Sequence, residues 1–199
     1  MSVDFDSLVA IDVETSGLNP LKNQILSVSL VPFDNSVEPL DIFISHEALV
    51  WNETAKKYFK KYKNNWSKKA VTPSKAYELI SSYAHQFHRK PIVLVGHNVG
   101  FDYSFLKQLA YLAGQDEFEE ISHRTIDTHS ALYMLYLSGL IEDRALTSSG
   151  AFKHFNISIP SLERHTARAD AVATKELFIQ IIDLMTEKLS DQGSKLIAL

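Results

Sequence analysis

The stretch Leu8-Val9-Ala10-Ile11-Asp12-Val13-Glu14 decides the fold of this chain. A β-strand sends alternate side chains to the same face, so Asp12 and Glu14 project together while Val13 points the other way. Two carboxylates on one face repel each other unless they share a proton or a cation. The polar residues at 15–20 predict a tight turn after the strand, which leaves the pair at its open end. The sequence therefore predicts the start of a metal site here.

Length and composition indicate one ordinary soluble domain, which we expect to cover residues 4–189, with a frayed tail at 190–199. The chain has 199 residues, 45% of them hydrophobic and 22% charged. It has no cysteine, which excludes a disulfide framework, thiolate zinc sites and a cysteine nucleophile. We find no signal peptide and no apolar run of about 18 residues, and so expect a cytoplasmic protein without a membrane span.

The charge is unevenly distributed along the chain. The net charge is −4, yet residues 56–69 hold seven of the 20 basic residues and no acid. The other 185 residues then carry 13 basic and 24 acidic residues, a formal charge of −11. One lysine-rich segment therefore stands out against an acidic remainder.

The hydrophobic pattern predicts an α/β fold. Residues 24–31 alternate as a strand with one wet face, and residues 37–44 give a third strand weakened by Pro39. Short links between these strands favour an antiparallel meander. The apolar run at 91–95 predicts a strand buried on both faces. Helices are predicted from Thr72-Pro73, from about Phe101 (burying Phe105, Leu109 and Leu112), after Ile126-Asp127-Thr128, near 149–155 and at about 166–189.

Two further carboxylates and a histidine are candidate site residues later in the chain. Asp102 lies in the first turn of its helix, where simple helix capping is the alternative explanation. His165 and Asp170 are roughly 140° apart in helical projection and cannot share a helical face. They can meet if Thr166 caps the helix and His165 lies on the preceding loop. The alternative for His165 is an ordinary surface histidine.

Three motifs together resemble the DEDDh exonuclease superfamily. They are Asp-x-Glu-Thr-Ser-Gly at 12–17, Gly-His-Asn-Val-Gly-Phe-Asp at 96–102 and His-x-Ala-x-x-Asp-Ala at 165–171. The resemblance spans residues 8 to about 185, and Thr166 stands where the sister subgroup has a tyrosine. It implies a ribonuclease H-like fold, with a mixed sheet of an antiparallel meander plus a parallel strand, flanked by helices. It also implies a 3′-to-5′ exonuclease, as in proofreading subunits, ribonuclease T and oligoribonuclease.

The resemblance assigns roles by matching position. It implies that Asp12, Glu14, Asp102 and Asp170 hold two divalent cations, Mg²⁺ or Mn²⁺, and that His165 is the general base. Hard oxygen ligands suit these ions, and a metal pair about 4 Å apart can stabilise both reacting oxygens. The implied reaction hydrolyses the 3′-terminal phosphodiester of DNA or RNA and releases nucleoside 5′-monophosphates.

The resemblance also implies contacts to the terminal nucleotide, by Thr15, Ser16, Gly17, Leu18, Asn98 and Phe101. For Leu18 a core contact at the turn is an equal alternative. We interpret His97 as a hydrogen-bonded structural residue. Asp127 is interpreted as a helix cap outside the metal site.

The lysine-rich segment admits two interpretations. Its lysines and aromatic residues could bind phosphates and stack single-stranded bases. Alternatively it is an amphipathic helix with its aromatic residues in the core and its lysines in solvent, which we slightly favour. The expected partner is nucleic acid with a free 3′ end, single-stranded by preference, and a homodimer or a polymerase partner stays open.

Two other classes of function compete with the exonuclease. An aspartyl phosphatase would need a second Asp where Glu14 stands and a later lysine motif, which we do not find. A catalytically idle module that binds nucleic acid or protein ranks lower, because all five catalytic positions hold competent residues. The sequence leaves open DNA or RNA as substrate, and a proofreading or free-standing role.

Overall fold

The computed structural model of the protein describes residues 5–160 and 165–197. Within these residues one mixed sheet of five strands forms the centre of the fold. The strands are β1 (Leu8–Thr15), β2 (Ile25–Pro32), β3 (Leu40–Phe43), β4 (Val93–Gly96) and β5 (Ile126–Asp127). They lie in the order β3-β2-β1-β4-β5, with β1, β2 and β3 antiparallel and β4 and β5 parallel to β1. The predicted meander and the mixed α/β architecture are confirmed.

Helices connect and cover these strands. They are α1 (Glu53–Phe59), α2 (Lys63–Lys69), α3 (Pro73–Ala84), α4 (Val99–Leu112), α5 (Thr128–Leu137), α6 (Ser148–His154) and α7 (Ala167–Ile197), with a 3-10 turn at Asp143–Leu146. The predicted start of α3 is confirmed, because the side chain of Thr72 accepts the N–H of Lys75 and Pro73 is the first helical residue.

Several elements differ from the sequence expectations. The region at 46–72 contains the short helices α1 and α2, and the sheet has the additional two-residue strand β5. Helix α7 continues to Ile197, beyond the predicted end at Leu189. The prediction that Leu112 is buried was wrong: it is 43% exposed, because it lies in the last turn of α4 and faces away from the sheet.

The two faces of the sheet bury different helices. Helices α3 and α4 pack on one face, where Val9, Ile11 and Phe105 belong to the largest buried cluster. The start of α7 packs on the other face, where Ala171 lies in a cluster with Leu8 and Ala10 of β1. Small side chains allow a helix to approach the sheet closely. The α7 face is also the face of Asp12 and Glu14, since side chains alternate along β1.

Strand β1 is longer than the neighbour that pairs with it on one side. It pairs with β4 only through Leu8, Val9 and Ala10, and residues 11–15 continue beyond that ladder. On the other side it stays paired with β2 as far as Thr15. One edge of β1 is therefore open beside Asp12 and Glu14, and its backbone groups need other partners.

Among the residues that the structure describes, no helix is long and apolar enough to cross a membrane.

A tight approach inside the helical layer gives a stability test. A Cβ at Gly150 in α6 would overlap the carbonyl oxygen of Arg144 and approach Thr147 Oγ1 at 2.9 Å. We expect Gly150→Ala to lower the free energy of unfolding by about 1–3 kcal/mol, the usual effect of overpacking. Gly100→Ala in α4 is the matched control, because a Cβ there meets nothing within 4 Å. Chemical denaturation should show the control unchanged or slightly more stable; equal stabilities of the two variants would contradict this packing.

Candidate active site

Three of the predicted ligands meet at the end of β1. Each of Asp12, Glu14 and Asp170 offers a carboxylate oxygen, and these oxygens lie within 4.8 Å of one another. Asp12 and Glu14 are half-buried and Asp170 is buried. Like charges this close repel, so the arrangement favours a bound cation or a shared proton. Oxygen ligands of this kind suit Mg²⁺ or Mn²⁺.

The start of α7 delivers Asp170 to this cluster. The N–H of Asp170 donates to the carbonyl oxygen of Thr166 at 3.1 Å, which forms the first turn of the helix. A carboxylate in the first turn is favoured by the helix dipole. His165 precedes the helix with φ +62°, so it lies on the loop as expected. Thr166 therefore separates a loop histidine from a helical aspartate.

Asp102, the fourth predicted ligand, is not among the three clustered carboxylates and instead contacts the backbone of β1. Its Oδ1 accepts the N–H of Val13 at 2.9 Å, on the edge of β1 that β4 leaves open. Burial raises the pKa of Asp102 to about 8, although the hydrogen bonds from Val13 and from its own N–H lower it. The negative charge of Asp127 raises this pKa further. A divalent cation beside Asp102 would act in the opposite direction and favour the carboxylate.

The ring of His165 stacks on Tyr58. The two ring centroids are 4.2 Å apart and the planes differ by 28°. Tyr58 lies in α1, inside the lysine-rich segment, and is 36% exposed. The lysine-rich segment, whose role the sequence leaves open, therefore contacts the predicted general base.

The rest of the lysine-rich segment divides between core and solvent. Phe59 and Tyr62 are buried in a cluster with Leu26, and the Trp66 ring nitrogen donates to the carbonyl oxygen of Ile44 at 2.8 Å. All seven lysines are exposed. The expected amphipathic arrangement is present, but over two short helices and with Tyr58 facing the site.

The Tyr62 hydroxyl is buried within the electrostatic influence of the acidic cluster. Burial raises the pKa of its hydroxyl above its ordinary value, and the negative charges of Glu14 and Asp12 raise it further. Neither Tyr58 nor Tyr62 was predicted as a site residue. No local pattern signals them, because their partners lie more than 40 residues away in the sequence.

The predicted substrate residues on the turn after β1 differ from one another in exposure. Thr15 and Ser16 are buried: Thr15 Oγ1 donates to Gly17 O at 2.6 Å, and Ser16 Oγ accepts the N–H of Gln24 at 2.8 Å. Gly17 is buried, and a Cβ there would meet the Asn23 side chain at 2.5 Å. Leu18 is 77% exposed, which excludes the core contact.

The second predicted loop lies at the start of α4. Asn98 adopts φ +64° and is exposed, and its N–H donates to Asp127 Oδ1 at 2.9 Å. Phe101 is half-buried, with its ring 5.0 Å from that of Phe105. The prediction that Asp127 is a helix cap is confirmed, because its side chain accepts the N–H of His129. His97 contacts Thr128 Oγ1 through Nδ1 at 3.2 Å.

A mixed sheet with a carboxylate cluster at the end of its first strand is the architecture of the ribonuclease H-like nucleases. An exonuclease family model (RNase_T) matches residues 9–178 of this chain. The chain belongs to this exonuclease family, which confirms the resemblance to DEDDh 3′–5′ exonucleases inferred from the three motifs.

Relatives in sequence include polymerases and free-standing nucleases. A PolC-type DNA polymerase III of Caldanaerobacter subterraneus is 27% identical over 189 residues, covering 94% of this chain and 12% of that protein. A ribonuclease T of Wigglesworthia glossinidia brevipalpis is 26% identical over 187 residues, covering 88% of this chain and 84% of the relative. The chain spans only about an eighth of the length of the polymerase relative.

Solved structures share the fold. Zinc-bound E. coli exonuclease I in complex with single-stranded DNA superposes with a TM-score of 0.74 at 18% identity, covering 96% of this chain and 44% of that one. Exonuclease I from Methylocaldum szegediense gives a TM-score of 0.69 at 18% identity, covering 87% and 39%. These similarities confirm the ribonuclease H-like fold.

Repulsion within the acidic cluster predicts stabilisation by divalent cations. A ligand at about 100 times its Kd adds about 2.7 kcal/mol to stability, which for a chain of this size is roughly 5–10 °C in Tm. We expect Mn²⁺ to raise the Tm by this order in a thermal melt, and Asp12→Asn to remove most of the shift. Asp116→Asn, at an exposed aspartate, is the control and should keep the full shift in Tm. An Asp12→Asn variant with the full shift would place the cation elsewhere.

Proposed function

We propose that the chain is a metal-dependent 3′–5′ exonuclease that hydrolyses the 3′-terminal phosphodiester of a nucleic acid and releases nucleoside 5′-monophosphates. The observation that carries this proposal is the convergence of Asp12, Glu14 and Asp170, whose oxygens lie within 4.8 Å of one another. Membership of the exonuclease family supports it. Asp12 and Glu14 share a face of β1, whereas Asp170 lies more than 150 residues further along the chain and reaches them only through the fold.

The donor set fits two divalent cations. Asp12, Glu14, Asp170 and Asp102 supply only carboxylate oxygens, which Mg²⁺ and Mn²⁺ prefer. Their four formal negative charges would balance two such cations. When bound, a cation pair stabilises both the attacking and the leaving oxygen of an in-line displacement at phosphorus. A relative in fold, E. coli exonuclease I, binds zinc in one of its structures.

The protein side chains divide the remaining work. His165 takes the proton of the attacking water, as histidine side chains titrate near neutral pH. Its loop position before α7 lets the ring move, while the stack on Tyr58 restrains it. Asp102, held by the N–H of Val13, adds its carboxylate from the open edge of β1.

The substrate we propose is a single-stranded 3′ end of DNA or RNA. Leu18 is exposed on the turn that follows Glu14, where its side chain can contact the terminal base. Phe101, the residue before Asp102, is half-buried and is proposed as a second apolar contact. The structure of E. coli exonuclease I with single-stranded DNA supports a substrate of this class.

A catalytically idle module on the same fold is the second candidate. A module that only binds would not need the four acids and the histidine. All five are nevertheless present: Asp12, Glu14, Asp102, His165 and Asp170. The exonuclease proposal explains why three of these carboxylates are crowded against each other, at a cost in stability, and a purely binding module does not.

The first activity test removes the cations and the base. We expect excess EDTA to abolish release of mononucleotides from a 3′-labelled oligonucleotide, and His165→Ala to lower kcat by about 10²–10⁴ with little change in substrate affinity. His123→Ala, at an exposed histidine, is the control. The panel should contain single- and double-stranded DNA, RNA and 3′-phosphate ends, with Asp102→Ala beside it. Undiminished hydrolysis in EDTA would contradict the proposal.

A second activity test addresses the lysines of the exposed segment. Because Tyr58 of α1 contacts His165, the neighbouring lysines lie close to the proposed path of the substrate backbone. We expect joint replacement of Lys60, Lys61 and Lys63 by glutamine to weaken oligonucleotide binding. The slope of log K against log salt should fall by about 2, at roughly 0.7 per phosphate contact on a single strand.

The control for this test replaces three exposed lysines outside the segment, Lys75, Lys90 and Lys153. Fluorescence anisotropy with a labelled single strand measures both triple variants at several salt concentrations. Identical affinities and salt slopes for the two would show that the segment is only a solvated helical surface.

A further inference from the structure

Tyr62 carries a deeply buried hydroxyl. Tyr62 is 4% exposed, and its Oη has no partner among the residues that the structure describes. A hydroxyl buried in this way costs free energy, so native proteins keep few of them. Such a hydroxyl remains available as a donor if an acceptor comes within reach when the site is loaded.

The sheet register places Tyr62 beside the acids. Its ring stacks on Phe43, with centroids 6.3 Å apart and planes 21° from parallel. Phe43 pairs with Ser27, and Ser27 pairs with Glu14, so Phe43, Ser27 and Glu14 form one row on the α7 face. Neighbouring strands are about 4.8 Å apart, which puts the ends of this row about 10 Å apart. The ring of Tyr62 therefore lies beside one end of a row whose other end is Glu14, and the charge of Glu14 acts on its hydroxyl.

Glu14 has the longest side chain of the four acids. Asp102 accepts the N–H of Val13, and the backbone N–H of Asp170 donates to Thr166 in the first turn of α7. Glu14 has a longer side chain with more rotamer freedom to lose. It also lies at the register shift between Glu14 and Thr15, where the regular ladder of β1 and β2 ends.

We propose that Tyr62 is a positioning residue: when a cation is bound, its hydroxyl donates a hydrogen bond to the Glu14 carboxylate and holds it in the orientation that the cation requires. This inference rests on the proposed function only in taking Glu14 as a metal ligand. Carboxylates that bind metals are commonly held by such hydrogen bonds, and loss of one costs about 10–100-fold in metal affinity or activity. Because burial and the nearby acids raise the pKa of Tyr62, the hydroxyl stays protonated and remains a donor.

The chain contains a matched control for this residue. Tyr83 in α3 is also 4% exposed, and its hydroxyl is likewise buried without a partner in the described part of the chain. The charges that act on the Tyr83 hydroxyl belong to Arg168 and Asp41 rather than to Glu14 and Asp12. Replacement by phenylalanine removes the same atom from an equally buried site in both cases, and breaks no hydrogen bond between residues 5–160 and 165–197 of the metal-free protein.

The test measures binding of Mn²⁺ alone by isothermal titration calorimetry on the full chain. We expect Tyr62→Phe to weaken Mn²⁺ binding by about 10–100-fold, and Tyr83→Phe to stay within about twofold of the natural protein. Both variants should melt in EDTA at or slightly above the Tm of the natural protein. In an activity assay, Tyr62→Phe should need more Mn²⁺ for half-maximal rate, with most of the maximal rate restored at saturation.

The outcomes separate this role from the proposed function. Equal Mn²⁺ affinity of the two phenylalanine variants would overturn the role of Tyr62. A natural protein that binds no Mn²⁺ would overturn the metal site and this role together. Normal Mn²⁺ binding that Tyr62→Phe weakens, in a protein that hydrolyses no nucleic acid, would support the role and reject the exonuclease proposal alone.

Discussion

Mutual repulsion of carboxylates is the constraint on which the site depends. Oxygens within 4.8 Å of one another belong to Asp12, Glu14 and Asp170. At an effective dielectric of about 20, two unit charges at this distance repel by roughly 3 kcal/mol, and by less where solvent screens them. The fold has to supply this free energy from elsewhere. It does so with a sheet covered on both faces, whose central strand residues are almost fully buried.

The geometry follows from the mismatch between neighbouring strands. Because β1 continues past β4, its open edge offers the N–H of Val13, and Asp102 accepts it from the start of α4. On the covered face, the small side chains of Ala10 and Ala171 let α7 approach until Asp170 reaches the strand end. The strand end thus brings carboxylates of β1 and α7 together, and its open edge holds Asp102 of α4 by a backbone hydrogen bond.

Features that depend on neighbouring residues could be predicted from the sequence, whereas contacts between distant residues could not. Side chains alternate along any strand, and so the shared face of Asp12 and Glu14 could be predicted from the sequence. The positions of His165 before α7 and of Asp170 in its first turn could be predicted in the same way. The stack of Tyr58 on His165 joins residues over 100 positions apart, and no local period encodes it. Strand β5 has only two residues, which is too short for any alternation to show.

The structure of the lysine-rich segment could also be predicted only in part. The slightly favoured interpretation, an amphipathic helix, fits the buried Phe59 and Tyr62 and the exposed lysines, but the segment forms two short helices and Tyr58 is exposed. Tyr58 stacks on His165, and the charge of Glu14 acts on the Tyr62 hydroxyl. A surface segment thereby becomes one wall of the site, which links the basic charge of the chain to its acidic centre.

The central claim is that this fold cages paired cations between its strand end and the start of α7. Anomalous diffraction at the manganese edge, from crystals soaked with Mn²⁺ and a nucleoside 5′-monophosphate, tests it most directly. The account predicts two peaks about 4 Å apart, bounded by Asp12, Glu14, Asp102 and Asp170. Manganese bound only elsewhere on the protein, with no peak among these carboxylates, would contradict it.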